Sequence, residues 1–364
     1  MISNTNKNYI KLTEDLIRFP SVSDNLKSKK EVIAFAKKYF HKDRFRIKEY
    51  TSRGLPSLVV TFKEQSDNPD LLLCGHLDVV PDSPAGFCPK TTKKRIYGRG
   101  SGDMKAACAV MMEIMSSFGE QKKPPSLGLM LTSDEEVGGF NGVGYLLNKK
   151  NYKPKLAIIP DGGTDLNTLV LNEKGVLHLK VKAFGRSAHG SRPFLGHNAV
   201  EKLIEIYKSL RVIIPELKPD EWANSLNLGR LQGGEATNQV PDYGEMYLDI
   251  RFINNQEKLS ILERIKQITT DFEIISEAPP FVQDDKDEYV KRYKKEVEGV
   301  LGQEVKFHRS EGASDARFFS EIRVPVVSTK INCDNIHSRG EWVDIGSMNN
   351  FFEILSLFIK NNFQ

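Results

Sequence analysis

The stretch Leu71-Leu-Leu-Cys-Gly-His-Leu-Asp78 begins as a short apolar run and ends in two side chains that can bind or support a metal ion. The apolar run predicts a buried strand, and the period of two places His76 and Asp78 on the same side of it. An imidazole can ligate a metal through one ring nitrogen while a nearby carboxylate fixes the ring. The alternative is a histidine that is simply hydrogen-bonded at a strand end, so this stretch alone does not establish a site.

Short apolar runs like 71–74 alternate with helical patterns through the first part of the chain. The pattern predicts strands at 58–62, 71–74, 127–132 and 156–160, and helices at 103–118 and 141–147, with Asn141 as a cap. Such alternation favours an α/β fold with helices on both faces of the sheet.

The middle of the chain has a different pattern. Residues 175–277 predict a long alternating strand, a helix at 198–210, strands at 226–231 and 245–252, and a helix at 256–269. The α/β pattern then resumes with a helix at 287–300, a strand at 324–327 and a helix at 346–358. We therefore predict a domain formed by residues 1–174 and 278–364, with an inserted α+β domain at 175–277.

The composition limits the class of protein. A chain of 364 residues is longer than a single hydrophobic core usually supports, so we expect two domains. A composition of 39% apolar and 27% charged residues is typical of a globular protein. The net charge of +4 comes from scattered basic residues, which argues against nucleic acid as a partner. No signal-peptide core is found in residues 1–11 and no apolar run spans a membrane, so we expect a cytoplasmic protein. The four cysteines lack C-x-x-C spacing and are expected to be reduced thiols.

Four further stretches place metal-binding side chains at the ends of predicted elements. Each has a simple structural explanation when taken alone: a helix cap, a solvated acidic turn or a histidine in a loop. The glycine spacing before Asp103 fits neither a dinucleotide-binding motif nor a P-loop. Strand ends in α/β sheets are where ligands converge, so one sheet could bring five nitrogen and oxygen donors together: His76, Asp103, Glu136, Asp161 and His337.

Five such ligands indicate two metal ions. If one carboxylate is shared, each ion receives two further protein ligands and a position remains for a bridging water. Imidazole with carboxylate suits zinc, and Co²⁺ or Mn²⁺ are substitutes.

Five motifs occur in order along nearly the whole chain: Gly-His-Leu-Asp-Val-Val-Pro81, Gly-Arg-Gly-Ser-Gly-Asp-Met-Lys105, Ser-Asp-Glu-Glu-Val-Gly-Gly139, Pro-Asp-Gly-Gly163 and Ile-His-Ser338. They resemble those of the dizinc metallohydrolase family of acetylornithine deacetylase, succinyl-diaminopimelate desuccinylase, aminoacylase and glutamate carboxypeptidase. The resemblance implies a mixed-sheet, zinc-peptidase-like catalytic domain. It also implies that the insertion is a ferredoxin-like lid through which homodimers form.

The resemblance implies a role for each metal ligand. Asp103 would bridge the two zinc ions of each subunit, His76 and Asp161 would complete one site, and Glu136 and His337 would complete the other.

Three more residues receive roles in the reaction by the same resemblance. Asp78 would orient His76, and Glu135 would be the general base that takes a proton from the bridging water. His189 would reach into the partner subunit's active site and stabilise the oxyanion. A loop histidine without a role is the alternative for His189.

The remaining candidates concern the substrate. Asn238 and Arg251 resemble lid positions that bind the substrate's backbone and carboxylate, with a turn residue and a surface strand residue as the alternatives. Ser314 lies in a segment that resembles part of the substrate pocket, or caps the following helix. Lys174, Arg192 and Arg251 are predicted to bind the substrate, and all three favour an anionic one. Desuccinylases usually have an arginine where this chain has Lys174 and a tyrosine where it has Arg192, which leaves the identity of the acyl group open.

These observations predict a two-metal amide hydrolase that acts on N-acyl amino acids, of the deacetylase or desuccinylase type. A dipeptidase or carboxypeptidase using the same site is the alternative. A non-catalytic binding protein that keeps only the fold is disfavoured, because the chain has lost none of the expected ligands.

Overall fold

The computed structural model describes residues 8–40, 43–63, 65–66 and 68–364. The chain divides into two compact units, and unit 1 comprises Met1–Leu171, Val282–Ser310 and Ser314–Gln364. Unit 2 comprises Asn172–Phe281 and Glu311–Ala313. Residues 1–7, on which much of the expectation about a signal peptide rests, lie outside the described residues.

The secondary structure of the described ranges is as follows. The α-helices are α1 (Asn8–Ile17), α2 (Leu26–Tyr39), α3 (Ala106–Gly119), α4 (Val143–Lys150), α5 (Ala199–Ile213), α6 (Asn255–Ile268), α7 (Glu288–Leu301), α8 (Ala316–Glu321) and α9 (Ile345–Phe363). The strands are β1 (Phe45–Ser52), β2 (Leu55–Phe62), β3 (Leu71–His76), β4 (Lys90–Thr91), β5 (Arg95–Tyr97), β6 (Leu127–Thr132), β7 (Leu156–Ile159), β8 (Thr168–Glu173), β9 (Gly175–Phe184), β10 (Ser225–Gly233), β11 (Tyr243–Phe252), β12 (Phe272–Ala278), β13 (Phe281–Val282), β14 (Lys306–Ser310), β15 (Val326–Ser328), β16 (Cys333–Asp334) and β17 (Trp342–Asp344).

A mixed sheet forms the centre of the fold in unit 1. Its strand order is β1-β2-β6-β3-β7-β15-β8-β13, and β14 pairs with β8. Strand β3 is parallel to β6 and β7, and β7 is parallel to β15. The pairs β1–β2, β2–β6 and β15–β8 are antiparallel. A second, small sheet has the order β16-β17-β5-β4. The prediction of a mixed α/β fold is confirmed.

Helices cover both faces of this sheet because its central strands are apolar on both sides. Leu71 and Leu73 belong to the main core together with residues of α1, α2, α3, α7 and α9. Leu72 and Cys74 alternate with them, are also fully buried and point to the opposite face. On that face α8 packs against β15, and α4 packs against α8.

Unit 2 has the ferredoxin-like order of elements, β9-α5-β10-β11-α6-β12. Its antiparallel sheet has the strand order β10-β11-β9-β12, and α5 and α6 share a core with the apolar side of the strands. The alternation in β9 is regular, with Leu177, Leu179 and Val181 buried and the residues between them partly exposed.

Polar side chains define several helix starts. Asn198 accepts hydrogen bonds from the amides of Val200 and Glu201 at the start of α5, and Asp287 caps α7 in the same way.

Two predicted helix starts are wrong. Helix α3 begins at Ala106 instead of 103, because Asp103 has non-helical dihedral angles in the preceding turn. Asn141 is not the cap of α4, which begins after Gly142.

The structure bears on membrane-spanning helices and on the cysteines, for the described residues only. None of their helices is long and apolar enough to cross a membrane. All four cysteines are free, and Cys74 and Cys108 are buried.

Candidate metal centre

Three of the predicted ligand positions lie where parallel strands of unit 1 end. His76 is the last residue of β3, the acidic turn Glu135–Val137 follows β6, and Asp161 follows β7. Because β3 is parallel to both β6 and β7, the carboxyl ends of all three strands meet at one edge of the sheet. The sheet topology therefore brings together side chains that are far apart in sequence.

Asp103 lies between two imidazoles. Its Oδ1 is 3.3 Å from His76 Nε2, and its Oδ2 is 3.2 Å from His337 Nε2. His76 Nε2 is also 3.7 Å from Asp161 Oδ2, and His337 Nε2 is 3.4 Å from Glu136 Oε2. Each oxygen of Asp103 thus faces a different histidine and carboxylate pair, which is the geometry a bridging carboxylate needs.

The donor atoms of this cluster fall into two groups, each compact enough to surround one ion. Within each group they lie within 4.8 Å of one another: His76, Glu135 and Asp161 in the first, and Asp103, Glu136 and His337 in the second. The structure therefore brings all five predicted ligands together. It also places Glu135, the predicted general base, within reach of the first ion position.

Three buried donor atoms show that these residues fit cations. His76 Nε2, Asp103 Oδ1 and Glu136 Oε1 have no hydrogen-bond partner among the described residues. An unsatisfied buried polar atom costs roughly 1–3 kcal/mol, and metal ions at the two positions would satisfy these three atoms. The set of imidazole nitrogens and carboxylate oxygens suits Zn²⁺ or a similar divalent ion.

Asp78 fixes both the first imidazole and the acidic turn. His76 Nδ1 is 3.0 Å from the backbone carbonyl of Asp78 and 3.5 Å from its carboxylate. The same carboxylate accepts hydrogen bonds from the amides of Glu135 and Glu136, at 3.2 and 3.1 Å. With a proton on Nδ1 donated to the carbonyl, Nε2 of His76 faces the metal position.

The acidic turn is closed by Asp134. Its carboxylate accepts a hydrogen bond from Asn141 N at 2.8 Å, and its carbonyl accepts one from Gly139 N at 2.7 Å. Gly139 has a φ of +66°, and a Cβ there would lie 2.0 Å from Asp315 Oδ1, so only glycine fits. The side chain of Asn141 does not cap α4, because its Oδ1 accepts a hydrogen bond from Ser52 Oγ at 3.0 Å.

Glu341 positions Asp103, a role that the sequence analysis did not identify. Its carboxylate is 1% exposed and accepts hydrogen bonds from the amides of Gly100, Gly102 and Asp103 at 3.0, 2.8 and 3.0 Å. Arg99 Nη1 donates to it at 2.6 Å. Three converging amides form a nest for an anion, which holds the turn before α3 in a non-helical conformation.

Burial and neighbouring charge perturb the groups of the cluster. Burial raises the pKa of Glu135 well above its usual range; His76 opposes this shift and the charge of Asp161 adds to it. Hydrogen bonds to Asp103 and Glu136 raise the pKa of His337 to about 10. A carboxylate with a raised pKa is a better proton acceptor, which agrees with an acid–base role for Glu135.

Lys330 is a second residue of this site that the sequence analysis missed. Its Nζ lies 3.3 Å from Asp161 Oδ1 and 3.9 Å from Asp103 Oδ1. Burial lowers the pKa of Lys330, but the two carboxylates outweigh burial and raise it. Lys330 follows the predicted strand at 324–327 by three residues, but lysine is common on surfaces, so this position alone did not identify it.

The segment around Ser314 contacts the acidic turn through a different residue. Arg317 is 4% exposed, and its Nη2 donates to the carbonyl of Gly138 at 2.8 Å. Ser314 Oγ accepts a hydrogen bond from Ala316 N at 3.3 Å, but the N-cap position of α8 is Asp315, so Ser314 is not the cap of this helix. Its predicted contact with substrate stays a prediction.

In unit 2, the structure places His189 and Asn238 in neighbouring loops. Both side chains are exposed, Gly190 N donates to the carbonyl of Asn238 at 2.6 Å, and His189 forms a backbone bridge with Gln239. His189 Nδ1 is 2.8 Å from Ser191 Oγ, which leaves Nε2 of the ring for another partner.

The three basic residues predicted to bind substrate differ in their surroundings within unit 2. Arg251 uses Nε and Nη2 to bind both oxygens of Asp249, at 2.8 and 3.0 Å, so its fork is already occupied. Lys174 is buried 5.3 Å from the ring centroid of Trp222. Arg192 is exposed before a short 3₁₀ turn.

The fold and the site together define a metal-dependent hydrolase. The sequence profile of Peptidase family M20/M25/M40 matches residues 72–361, and the chain belongs to this family. The family resemblance inferred from the five motifs is confirmed.

Relatives extend over the full length of the chain. It is 27% identical to an uncharacterized metallohydrolase of Methanocaldococcus jannaschii, with 96% of this chain and 98% of that protein covered. It is 28% identical to a succinyl-diaminopimelate desuccinylase of Helicobacter hepaticus, with 97% and 98% covered. Among solved structures, a tripeptidase of Staphylococcus aureus has a similar fold, with a TM-score of 0.82, 22% identity, and 98% and 99% of the two chains covered.

Proposed function

We propose that this protein hydrolyses the amide bond of small N-acyl amino acids, with two divalent ions, preferably zinc, in each subunit. The observation that carries the proposal is the position of Asp103, with each of its oxygens 3.2–3.3 Å from a different imidazole. His76 and Asp161 would hold one ion, Glu136 and His337 the other, and Asp103 both. The full-length relationship to a succinyl-diaminopimelate desuccinylase supports an acylated amino acid as substrate.

The residues of the site divide the work of hydrolysis. Divalent ions bound here would polarise the scissile carbonyl and acidify a water molecule. Glu135 would take the proton from the attacking water on a carboxylate oxygen and return it to the leaving nitrogen. Asp78 keeps the amides of Glu135 and Glu136 in place, so that one glutamate is free for the proton while its neighbour faces His337.

Glu135→Gln tests this division, because the two groups of donors allow Glu135 to act as a base or as a ligand. Zinc-loaded Glu135→Gln should keep the metal content of the wild-type protein and lose activity by at least about 10²-fold, the usual contribution of a general base. Metal content is measured by elemental analysis after dialysis, and Glu120→Gln, an exposed residue of the same unit, is the control. If Glu135→Gln loses one ion per subunit, Glu135 is a ligand and its role as a base is refuted.

A peptidase is the second candidate, because the family to which the chain belongs is a peptidase family. Zinc-loaded protein should be assayed against N-succinyl-diaminopimelate, N-acetylornithine, other N-acyl amino acids and a set of dipeptides. We expect cleavage of at least one acylated amino acid. Cleavage of peptides alone would refute the deacylase proposal, and folded, metal-loaded protein inactive on all substrates would favour a binding protein.

Unit 2 would serve as the lid and the dimerisation domain, and His189 would act in the partner subunit's site. Exposed apolar side chains of unit 2 support an interface: Phe184, Phe194, Leu195, Val212, Leu231, Tyr243, Ile274 and Ile275. Sedimentation should give a dimer.

Subunit mixing tests the role of His189. Glu135→Gln and His189→Ala subunits, each nearly inactive, should together recover about a quarter of wild-type activity after random 1:1 mixing, because half the dimers then carry one intact site. No recovery in verified mixed dimers would refute action across the interface.

A further inference from the structure

The backbone fixes Lys330 opposite Asp161. Strand β15 pairs parallel with β7. Two residues beyond the last pair of these strands, Asp161 and Lys330 form an isolated backbone bridge, which has antiparallel geometry. Gly162 N donates to the carbonyl of Thr329 at 3.0 Å. The sheet therefore places Lys330 at the same edge as the predicted metal ligands.

The two carboxylate oxygens of Asp161 face different partners. Lys330 Nζ is 3.3 Å from Oδ1, whereas Oδ2 faces His76 Nε2 at 3.7 Å. The lysine side chain is 7% exposed and that of Asp161 is 9% exposed, so water screens this contact little. Asp161 can thus offer one oxygen to an ion while the other stays with the lysine.

Glu136, at the second ion position, differs from Asp161 in the charges around it. Glu136 faces His337 through Oε2, and within the described ranges no lysine or arginine forms an ion pair with Glu136. Lys330 also lies closer to Asp161 than to Asp103, at 3.3 against 3.9 Å. The oxygen of Asp103 that Lys330 faces is Oδ1, which also faces His76, so both contacts of the ammonium lie at the first ion position.

We propose that Lys330 is a built-in counter-ion of Asp161 that makes the two metal positions unequal. It weakens binding at the position of His76 and Asp161 by repelling the ion and by occupying one carboxylate oxygen. The position of Glu136 and His337 fills first and holds its ion more tightly. This inference rests on the proposed two-metal function.

The test is a Zn²⁺ titration of the full chain against a competing chelator, followed by calorimetry. The wild-type protein should show a tight and a weaker ion per subunit. Lys330→Met should raise the affinity of the weaker position at least tenfold, equal to about 1.4 kcal/mol, and leave the tight one unchanged. Lys330→Arg keeps the charge and should keep the wild-type pattern. Lys155→Met, which removes a surface ion pair at the other end of β7, is the matched control.

Single-site backgrounds assign the effect to one position. With His337→Ala, the remaining ion should bind more tightly when Lys330→Met is added; with His76→Ala, the same addition should change nothing. Circular dichroism checks that each variant is folded, and Lys330→Gln replaces Lys330→Met if the latter does not fold.

The outcomes separate this inference from the proposed function. Two ions whose affinities do not respond to either neutral variant, or respond equally, refute the role of Lys330 and leave the two-metal site intact. At most one ion per subunit in wild-type protein and in Lys330→Met refutes both.

Discussion

Glu341→Gln is the most informative single change at this site. The carboxylate accepts from three backbone amides and from Arg99, over distances of 2.6–3.0 Å. A glutamine keeps the shape, but its amide oxygen can replace only one carboxylate oxygen. If that oxygen keeps the amides of Gly102 and Asp103, the new amide group faces two donors, Gly100 N and Arg99.

Two buried donors would then lose their partner. At roughly 1–3 kcal/mol for each, the free energy of unfolding should fall by roughly 2–6 kcal/mol. For a unit of this size the melting temperature should fall by on the order of 10 °C. Because the turn that carries Asp103 loosens, zinc affinity should also fall by about 10–100-fold.

Thermal unfolding by circular dichroism and zinc titration measure these two effects. Glu49→Gln is the control, since Glu49 pairs with Lys37 on the surface and its loss should cost less than about 1 kcal/mol. If Glu341→Gln unfolds within 2 °C of the wild-type protein and binds zinc equally well, the carboxylate does not hold the turn and the reasoning is refuted.

Three further outcomes are expected. Gly75→Ala should cost roughly 1–3 kcal/mol in chemical denaturation, because its Cβ would lie 2.8 Å from Cys108 Sγ; unchanged stability would contradict the close approach of α3 to β3. Asp78→Asn should keep the fold and lower kcat by about 10–100-fold, measured on the best substrate, because the support of the acidic turn is halved; full activity would contradict this. Zinc affinity should rise with each pH unit from 6 to 9, because His337 has a pKa of about 10 and must lose its proton to bind an ion; a flat profile in calorimetry would exclude it as a ligand.

The buried strands were predictable because burial on both faces leaves an unbroken apolar run. Strand β6 has the predicted bounds, 127–132, and all six of its residues are buried. Strand β12 was not predicted, since it is an edge strand whose residues 273–277 are exposed and carry no apolar alternation. Its place in the sheet depends on pairing with β9, which a local pattern cannot show.

The ligand cluster was predictable because His76, Glu136 and Asp161 follow buried apolar strands and all five donors lie in motifs that occur in order along the chain. The roles of Glu341 and Lys330 were not predictable from the sequence, and the reason is the same for both. The partners of Glu341 are backbone amides of a turn about 240 residues earlier in the chain, and those of Lys330 become neighbours only because β15 is inserted beside β7. Both roles depend on tertiary contacts, whereas the residue types alone are common on surfaces.

The position of β15 in the sheet has a consequence for synthesis. It lies between β7 and β8, yet it is made after the whole of Asn172–Phe281. While the ribosome translates residues 160–328, unit 2 can fold, but β7 has an open edge where β15 belongs. At about 5–20 residues per second this interval lasts roughly 10–30 seconds, during which the nascent chain exposes an apolar strand edge that chaperones recognise.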